Sequence, residues 1–316
     1  MSHMNRNIFS GFLTLSSSDP KYNMLYLLGG NNQINKIQEL KRKKNAIVLA
    51  HSYQNIEIDE VADFVGDSLY LSRQAKNTSA DIIIFAGVFF MAQTAKIISP
   101  AKKVLLPNKN AGCLMADMIN LEQIRRFKKT YSGLPVVCYI NSTAEVKSEC
   151  DICCTSSNAI KIVESLKSSK VLFVPDANLG KWVESQLNGI EVITYNGNCP
   201  IHNKINPEEV MEARLKYPEA KILIHPECRK EVSDLGDFVG STSEIVKYVK
   251  SSKDNEFVIV TEKGVCDRLK RDYPEKKFVP ISDNMICESM KLTTLNEILY
   301  CLENETNEIN NLDQRN

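Results

Sequence analysis

The sequence lacks an excess of charge of either sign, since 39 lysines and arginines stand against 39 aspartates and glutamates. Proteins that bind nucleic acid or anionic membranes through overall charge carry a basic excess or stripe, so we expect neither partner. The chain also lacks an apolar run of transmembrane length and a recognisable secretion signal. With 43% apolar residues, these absences predict a globular cytoplasmic protein with a substantial core.

Cysteine, in contrast, is abundant, with ten residues. Without a secretion signal they predict reduced thiols rather than a disulfide framework. Most should be small buried hydrophobic residues, and those on predicted strand or helix faces are Cys138, Cys266 and Cys301. Cys228 is ambiguous because it adjoins Glu227. The stretch "CDICC" (150–154) resembles zinc or redox spacing, but no second cysteine pair supports it, and we favour a buried turn.

A short motif occurs three times along the chain. "DFVGDS" (63–68) and "DFVGST" (237–242) each follow an apolar run that ends in histidine, and "PVVCYINS" with "CCTSSN" forms a diverged middle copy. The spacing from strand end to hydroxyl residue is 17 in each copy: His51 to Ser68, Tyr139 to Ser156, and His225 to Thr242. Self-similarity of this kind predicts repeated structural units.

Each copy then continues through a helix, an apolar strand, a helix and a last strand to a cysteine. The hydroxyl-to-cysteine spacings are 45, 43 and 45, which end at Cys113, Cys199 and Cys287. We therefore predict an α/β protein of three similar units, with parallel sheets flanked by helices and pseudo-threefold symmetry around a central site. The predicted segments are an extension with a tag remnant at 1–32 (His3 is set aside), repeats at 33–118, 119–206 and 207–303, and a polar, frayed tail at 304–316.

The repeats should bring chemically useful groups together. Parallel strands end on one side of each sheet, where ligands bind, so the three strand-end residues and the three cysteines should converge. Three thiolates suit a mononuclear zinc site with an open position. They also suit an iron–sulfur cluster in which one iron lacks a protein ligand and acts as a Lewis acid. We favour the cluster because it spans more space between separated loops.

Polar residues near these positions suggest an anionic substrate. His51, His202 and His225 cluster at strand ends or beside a repeat cysteine, and imidazole suits proton transfer near neutral pH. Helix starts with hydroxyl residues bind phosphate or carboxylate, and three of them predict a polyanionic small substrate. Glu227 is a general base or an ordinary salt-bridge partner. Tyr53 and Asn141 lie two residues beyond strand ends and could reach the same space.

Together these stretches resemble the quinolinate synthase family over about residues 34–303. The matching pieces include "AHSYQ", "DFVGDSLYLSRQA", "GVFFMAQTAKI", "AGCLMAD", "YINSTAEVKSECDICCTSSNA", "PDANLG", "GNCPIH", "HPEC", "DFVGSTSEI" and "CESMKLTTL". The sequence departs from the common family pattern at Ser52, Phe89, Gln93 and Tyr195.

The resemblance implies three α/β domains around a [4Fe-4S] cluster held by Cys113, Cys199 and Cys287. It implies a transferase that condenses iminoaspartate with dihydroxyacetone phosphate to quinolinate, phosphate and water in NAD biosynthesis, with an aspartate-oxidising enzyme as the partner that supplies iminoaspartate. The implied catalytic residues are Tyr53, His225, Glu227, His51 and Tyr139. The implied substrate-binding residues are His51, Ser68, Tyr139, Asn141, Ser156, His202, Ser241 and Thr242.

Three other interpretations remain open from the sequence. A different iron–sulfur hydro-lyase on the same scaffold would keep the cysteines without releasing phosphate. A metal-binding or iron–sulfur sensor should present a partner surface or a nucleic-acid patch, which the balanced charge does not support. A zinc hydrolase would be colourless and contain zinc.

Overall fold

The architecture is described from a computed structural model, which covers residues 20–310, with side chains from residue 32 onward. The predicted tag remnant, His3 and the end of the predicted tail lie outside the described residues. The strands are β1 Ala46–His51, β2 Phe64–Gly66, β3 Ile82–Ala86, β4 Lys103–Leu105, β5 Val136–Tyr139, β6 Ile152–Cys154, β7 Lys170–Val174, β8 Glu191–Thr194, β9 Lys221–Ile224, β10 Phe238–Val239, β11 Glu256–Val260 and β12 Lys277–Pro280.

Helices precede and connect the strands. They are α1 Pro20–Lys43, α2 Ser68–Asn77, α3 Phe89–Ile98, α4 Leu121–Thr130, α5 Ala144–Ser148, α6 Ala159–Ser165, α7 Ala177–Ser185, α8 Pro200–Asn203, α9 Pro207–Lys216, α10 Lys230–Ser233, α11 Thr242–Ser251, α12 Lys263–Asp272, α13 Glu288–Lys291 and α14 Leu295–Asn304, with 3-10 turns at Ile56–Glu60 and Ala116–Met118. None of the helices described combines the length and the apolarity that crossing a membrane requires.

The twelve strands form three parallel four-stranded sheets with one shared order. The orders are β2-β1-β3-β4, β6-β5-β7-β8 and β10-β9-β11-β12. The central strands are near-continuous apolar runs because helices cover both faces of each sheet, as in β3, which is buried at every position. The predicted fold class, three similar α/β units, is confirmed. Each sheet lies inside one predicted repeat, and the repeat boundaries themselves stay a prediction.

One strand in each sheet was not predicted. The "DFVG" stretches and their middle counterpart were interpreted as turns, yet they contain the edge strands β2, β10 and β6. These strands have only two or three residues, which is too short for a periodic signal. The "CDICC" stretch is therefore not a buried turn, since Cys153 and Cys154 lie on β6.

An aspartate repeats at the start of each edge strand. Asp63 accepts a hydrogen bond from Val48 N at 2.7 Å, Asp151 from Val136 N at 2.7 Å, and Asp237 from Ile222 N at 2.8 Å. Each aspartate lies five positions before the hydroxyl residue of its repeat. The side chain supplies an acceptor for a strand N–H at the sheet edge, which fixes how the edge strand aligns with its neighbour.

The helix starts are similar in the first and third units and different in the second. Asp67 caps α2, and Ser241 caps α11 in a capping box with Glu244. In the second unit the turn continues to Asn158, whose side chain accepts from Thr155 N at 2.7 Å. Helix α6 thus begins three residues after Ser156, so this hydroxyl does not open its helix as predicted.

The end of the chain returns to the first unit. Ile298, Cys301 and Leu302 of α14 are fully buried in the same cluster as Ile37 of α1 and the central strand β1. Beyond α14, Ile309 N donates to Val104 O at 2.8 Å. The expectation of a frayed tail is therefore wrong for residues up to 310, because Ile309 finds an apolar cluster against β4.

Candidate functional site

One cavity lies where strand ends of all three units meet. It has a volume of about 160 Å³. Among the predicted site residues, those that line it are His51, Tyr53, Ser68, Cys113, Tyr139, Asn141, Ser156, Cys199, His202, His225, Glu227, Thr242 and Cys287. Ser241 is fully buried and does not line it. Repeated units thus bring residues from distant parts of the chain to one place.

The strand-end histidines of the first and third units have the same local geometry. His51 Nδ1 accepts from Tyr53 N at 3.2 Å, and His225 Nδ1 accepts from Glu227 N at 3.3 Å. Each neutral ring therefore carries its proton on Nε2. Burial lowers the pKa of His51 to about 4 and that of His225 to about 3. Both rings are neutral hydrogen-bond donors at neutral pH.

Glu227 is the buried anion of the site. Its carboxylate accepts from Tyr139 Oη at 2.6 Å and lies 2.8 Å from His202 Nδ1. Burial alone would raise its pKa, but His225, His202 and these hydrogen bonds together lower the pKa of Glu227 to about 2. The pKa of the neighbouring Asp176 is raised well above its usual range by burial and by the charge of Glu227. Glu227 is therefore held ionised in the cavity, whereas burial and the charge of Glu227 favour the neutral form of Asp176.

A chain of hydrogen bonds links Tyr53 to Glu227. Tyr53 Oη is 3.1 Å from Thr261 Oγ1, and Thr261 Oγ1 is 2.9 Å from His202 Nε2. Since His202 Nδ1 faces the Glu227 carboxylate, every donor in the chain can point toward Glu227. Burial, and then the charge of Glu227, raise the pKa of Tyr53 and of Tyr139 well above the usual range.

Thr261 was not predicted as a site residue. It is almost fully buried and directly follows β11. The repeated motif marks the ends of β1, β5 and β9 but not those of the adjacent central strands. The signal that could have found Thr261 is a polar side chain directly after a buried strand. The equivalent residues of the other two units, Gly87 after β3 and Pro175 after β7, have no hydroxyl.

The three repeat cysteines all line the cavity and are partly buried. Burial raises the pKa of Cys113 to about 12 and of Cys287 to about 11, and it raises the pKa of Cys199 well above its usual range. Thiolates at these positions are stable only if cations compensate their charge, as bound metal does. No other described cysteine lines the cavity. This donor set fits a cluster that takes three protein thiolates and leaves one iron open.

A second donor set shares Cys199. The ligand atoms of Cys199, His202 and Glu227 all lie within 4.8 Å of one another. His202 Nδ1 is 3.2 Å from Cys199 Sγ, so the same imidazole nitrogen faces both the sulfur and the carboxylate. A set of sulfur, nitrogen and oxygen is typical of a single zinc ion. The geometry thus keeps a mononuclear metal as the competing interpretation.

Asp67 joins the helix starts of the three units. Its Oδ1 accepts from Tyr70 N at 2.9 Å, and its Oδ2 accepts from the hydroxyls of Ser157, at 2.8 Å, and Ser243. Ser157 Oγ also lies 3.0 Å from Ser241 Oγ, which accepts from Glu244 N. The hydroxyl of Ser241 is thus used within this network, which explains why Ser241 does not face the cavity. The neighbouring hydroxyls of Ser68, Ser156 and Thr242 line it instead.

One buried acceptor in the cavity has no partner within the described part of the chain. Asn141 Oδ1 receives no hydrogen bond, although it is buried. An orphaned amide oxygen of this kind costs free energy unless a ligand donates to it. Its position beside Tyr139 makes it a contact for a donor group on a bound molecule.

Comparison with known proteins gives a consistent result. Residues 35–315 match the model of the family described as quinolinate synthetase A protein. A protein of Alkaliphilus metalliredigens named quinolinate synthase is 52% identical over 278 residues, which is 88% of this chain and 92% of that protein. Proteins with the same name from Dehalococcoides mccartyi and Clostridioides difficile are 52% and 48% identical, over 85% and 87% of this chain and 89% and 90% of their own lengths.

Proposed function

Because the chain belongs to the quinolinate synthetase A family, we propose that it is a quinolinate synthase of NAD biosynthesis. The proposed reaction condenses iminoaspartate with dihydroxyacetone phosphate and releases phosphate and water, with an aspartate-oxidising enzyme as the supplier of iminoaspartate. The observation that carries this proposal is the convergence of the three repeats. Strand-end groups, hydroxyl turns and one cysteine from each unit line a single cavity of small-molecule size.

We assign the cluster to Cys113, Cys199 and Cys287. When bound, a [4Fe-4S] cluster with one iron free of cysteine supplies a Lewis acid that polarises a substrate hydroxyl or carbonyl. The three thiolates come from three units, so the bound cluster also ties the units together around the cavity.

The turns of the three units are the proposed binding site for the anionic groups of the substrates. Ser68, Ser156 and Thr242 face the cavity, and the starts of α2 and α11 add free backbone N–H groups. Asp67 holds the neighbouring residues together, which leaves the hydroxyls of Ser68 and Ser156 free to donate, while Thr242 Oγ1 lies 3.3 Å from Tyr53 Oη. His51 and His225, neutral with the proton on Nε2, donate to carboxylate or phosphate oxygens without adding a full charge. Asn141 Oδ1 accepts from an amine or hydroxyl of the substrate.

Proton transfer is assigned to the chain that ends at Glu227. A proton taken up at Tyr53 Oη would pass to Thr261 and then to His202 Nε2, and the ionised Glu227 beside Nδ1 would stabilise the imidazolium that forms. Tyr53 and Thr261 each give up one proton and receive one, so only His202 changes its charge. Tyr139 donates to the other oxygen of Glu227 and stabilises its charge between turnovers. These steps serve the proton movements that condensation, isomerisation and ring closure require.

The first test is metal content after purification without oxygen. We expect about four irons and four sulfides per chain, lost in Cys113→Ala, Cys199→Ala and Cys287→Ala. Cys266→Ala is the matched control, because this thiol is buried in a core cluster away from the cavity. Retention of iron in all three variants, or its absence from the unsubstituted protein, would overturn the cluster assignment.

The second test is the reaction. Protein with iron and sulfide, given iminoaspartate and dihydroxyacetone phosphate, should form quinolinate and release phosphate in equal amounts. A colourless protein with one zinc would favour the Cys199, His202 and Glu227 set and a zinc hydrolase. Dehydration of a hydroxy acid without phosphate release would favour a different iron–sulfur hydro-lyase.

A further inference from the structure

Three thiols lie together in the second unit, outside the cavity lining. Cys138 lies on β5, Cys150 follows α5, and Cys153 lies on β6. Cys138 and Cys153 are partners in the register of the two parallel strands, so both side chains point to the same face of the sheet. Cys154 points to the opposite face, where it belongs to another core cluster. The sequence alone suggested a C-x-x-C pair, but the fold instead pairs Cys153 with Cys138.

The backbone distance suits a disulfide between these two residues. Neighbouring strands lie about 4.8 Å apart, and disulfides bridge Cα atoms separated by about 4.4–6.8 Å. The proximity of Cys138 raises the pKa of Cys153, and that of Cys150 raises the pKa of Cys138, while the thiols of Cys138 and Cys150 donate to the backbone carbonyls of Tyr139 and Val146. Of the two cysteines near Cys138, only Cys153 lies directly opposite it in the register of β5 and β6.

The two thiols differ in accessibility. β6 is an edge strand, and Cys153 is exposed, whereas Cys138 is fully buried. A reagent in solution therefore meets Cys153 first. The ammonium group of Lys147 lies near both sulfurs and favours the thiolate form. The proximity of Cys138 nevertheless raises the pKa of Cys153, so the pair rests as thiols and reacts slowly at neutral pH.

We propose that Cys138 and Cys153 form a reversible disulfide by exchange with a low-molecular-weight disulfide such as glutathione disulfide. The Cys153 thiolate attacks one sulfur of the reagent, which forms a mixed disulfide and releases one glutathione thiolate. The Cys138 thiolate then attacks Cys153 Sγ and releases the second glutathione. Two protein thiols are oxidised, one small disulfide is reduced, and both protons leave with the two glutathiones.

The two cysteines of the proposed disulfide are close in sequence to residues that line the cavity. Tyr139 directly follows Cys138, and Thr155 comes two residues after Cys153; both line the cavity.

The experiment is incubation of oxygen-free protein with glutathione disulfide, followed by alkylation of free thiols, proteolysis and mass spectrometry. We expect a peptide linked through Cys138 and Cys153 that dithiothreitol removes. Cys138→Ser should stop the reaction at glutathione bound to Cys153, and Cys150→Ser should still form the linked peptide. Cys266 and Cys301, buried in separate cores, should remain free thiols throughout.

Three outcomes would overturn the proposal. One is a link between Cys150 and Cys153, which would make the C-x-x-C pair the reactive one. Another is glutathione that stays on Cys153 in the unsubstituted protein. The third is alkylation of all three thiols at a reagent concentration that oxidises an exposed dithiol peptide.

Discussion

The second unit differs from the first and third in how its strand end serves the site. In the first and third units a histidine stands at the strand end. Its Nδ1 accepts a hydrogen bond from the backbone N–H two residues further along the chain. In the second unit the strand ends in Tyr139, whose hydroxyl reaches across to Glu227 of the third unit. Its turn is also longer, and its helix begins later.

The difference teaches that the chemistry of the strand ends varies between the units although the sheet order stays the same. All three sheets share one strand order and one aspartate at the edge, so the scaffold is common to them. A single side chain at the strand end decides whether a unit contributes a neutral donor or supports the buried anion. Thr261 makes the same point, because only the third unit has a hydroxyl after the second of its central strands.

The largest effect is expected from removing the anion that the second and third units share. Glu227→Gln should lower kcat for quinolinate formation by about 10³-fold, because general acid–base groups contribute roughly 10²–10⁴-fold. Steady-state kinetics without oxygen measures this, with iron content as a check on the cluster. Glu231→Gln, an exposed carboxylate on the following helix, is the matched control. Equal loss in both variants would contradict the role of Glu227.

His51 and His225 of the first and third units should make the stability of the folded protein depend on acid pH. The pKa of His51 is about 4 in the folded protein and about 6.5 when unfolded, so the unfolded chain binds the proton first as pH falls. Stability should therefore be lost between about pH 6.5 and pH 4, by about 3 kcal/mol for this residue. Urea unfolding at several pH values should give a shallower acid loss in His51→Gln than in the unsubstituted protein. Parallel curves would show that His51 is not the source.

Tyr139→Phe tests the distinctive strand end of the second unit. Loss of the hydrogen bond to Glu227 should lower kcat by about 10²-fold and raise the pKa of Glu227, since this bond stabilises the ionised form. Infrared difference spectroscopy of the carboxyl C=O stretch through acid pH, with Glu227→Gln to assign the band, should show this pKa at a higher value. Tyr195→Phe removes a hydroxyl of the same unit that bonds only a backbone carbonyl, and it should leave the pKa unchanged. An unmoved pKa in Tyr139→Phe would separate Tyr139 from Glu227.

The smallest effect is expected at the hydroxyl that only the third unit has. Thr261→Val keeps the side-chain shape but breaks the link between Tyr53 and His202, and kcat should fall by about tenfold. A slower proton step should also increase the solvent isotope effect on kcat. Thr293→Val is the control, because its buried hydroxyl has no partner among the described residues. Similar kinetics in the two variants would rule out the chain as the proton route.

Much of the fold and of the site could be predicted because the signals were repeated. The 17-residue spacings identified three strand ends, and the structure brings all three to one cavity. The short edge strands were missed because two or three residues carry no periodicity. Thr261 and Asp67 were missed because their roles depend on contacts with residues about 60 to 180 positions away, such as His202 and Ser243. Ser241 was placed in the site by resemblance, but its hydroxyl is used in capping and in the Asp67 network.

The return of α14 to the first unit has a consequence for synthesis of the protein. Domains usually fold in order as the chain leaves the ribosome, but Ile298, Cys301 and Leu302 complete the core of the first unit and come from near the end of the chain. During translation this apolar face of the first sheet must wait, covered only in part by Ile37 of α1 and by Ile58, until the third unit has been made. A stop codon before residue 295 would therefore leave the third sheet with all its strands but would expose one apolar face of the first sheet. Such truncated chains should aggregate through their N-terminal part.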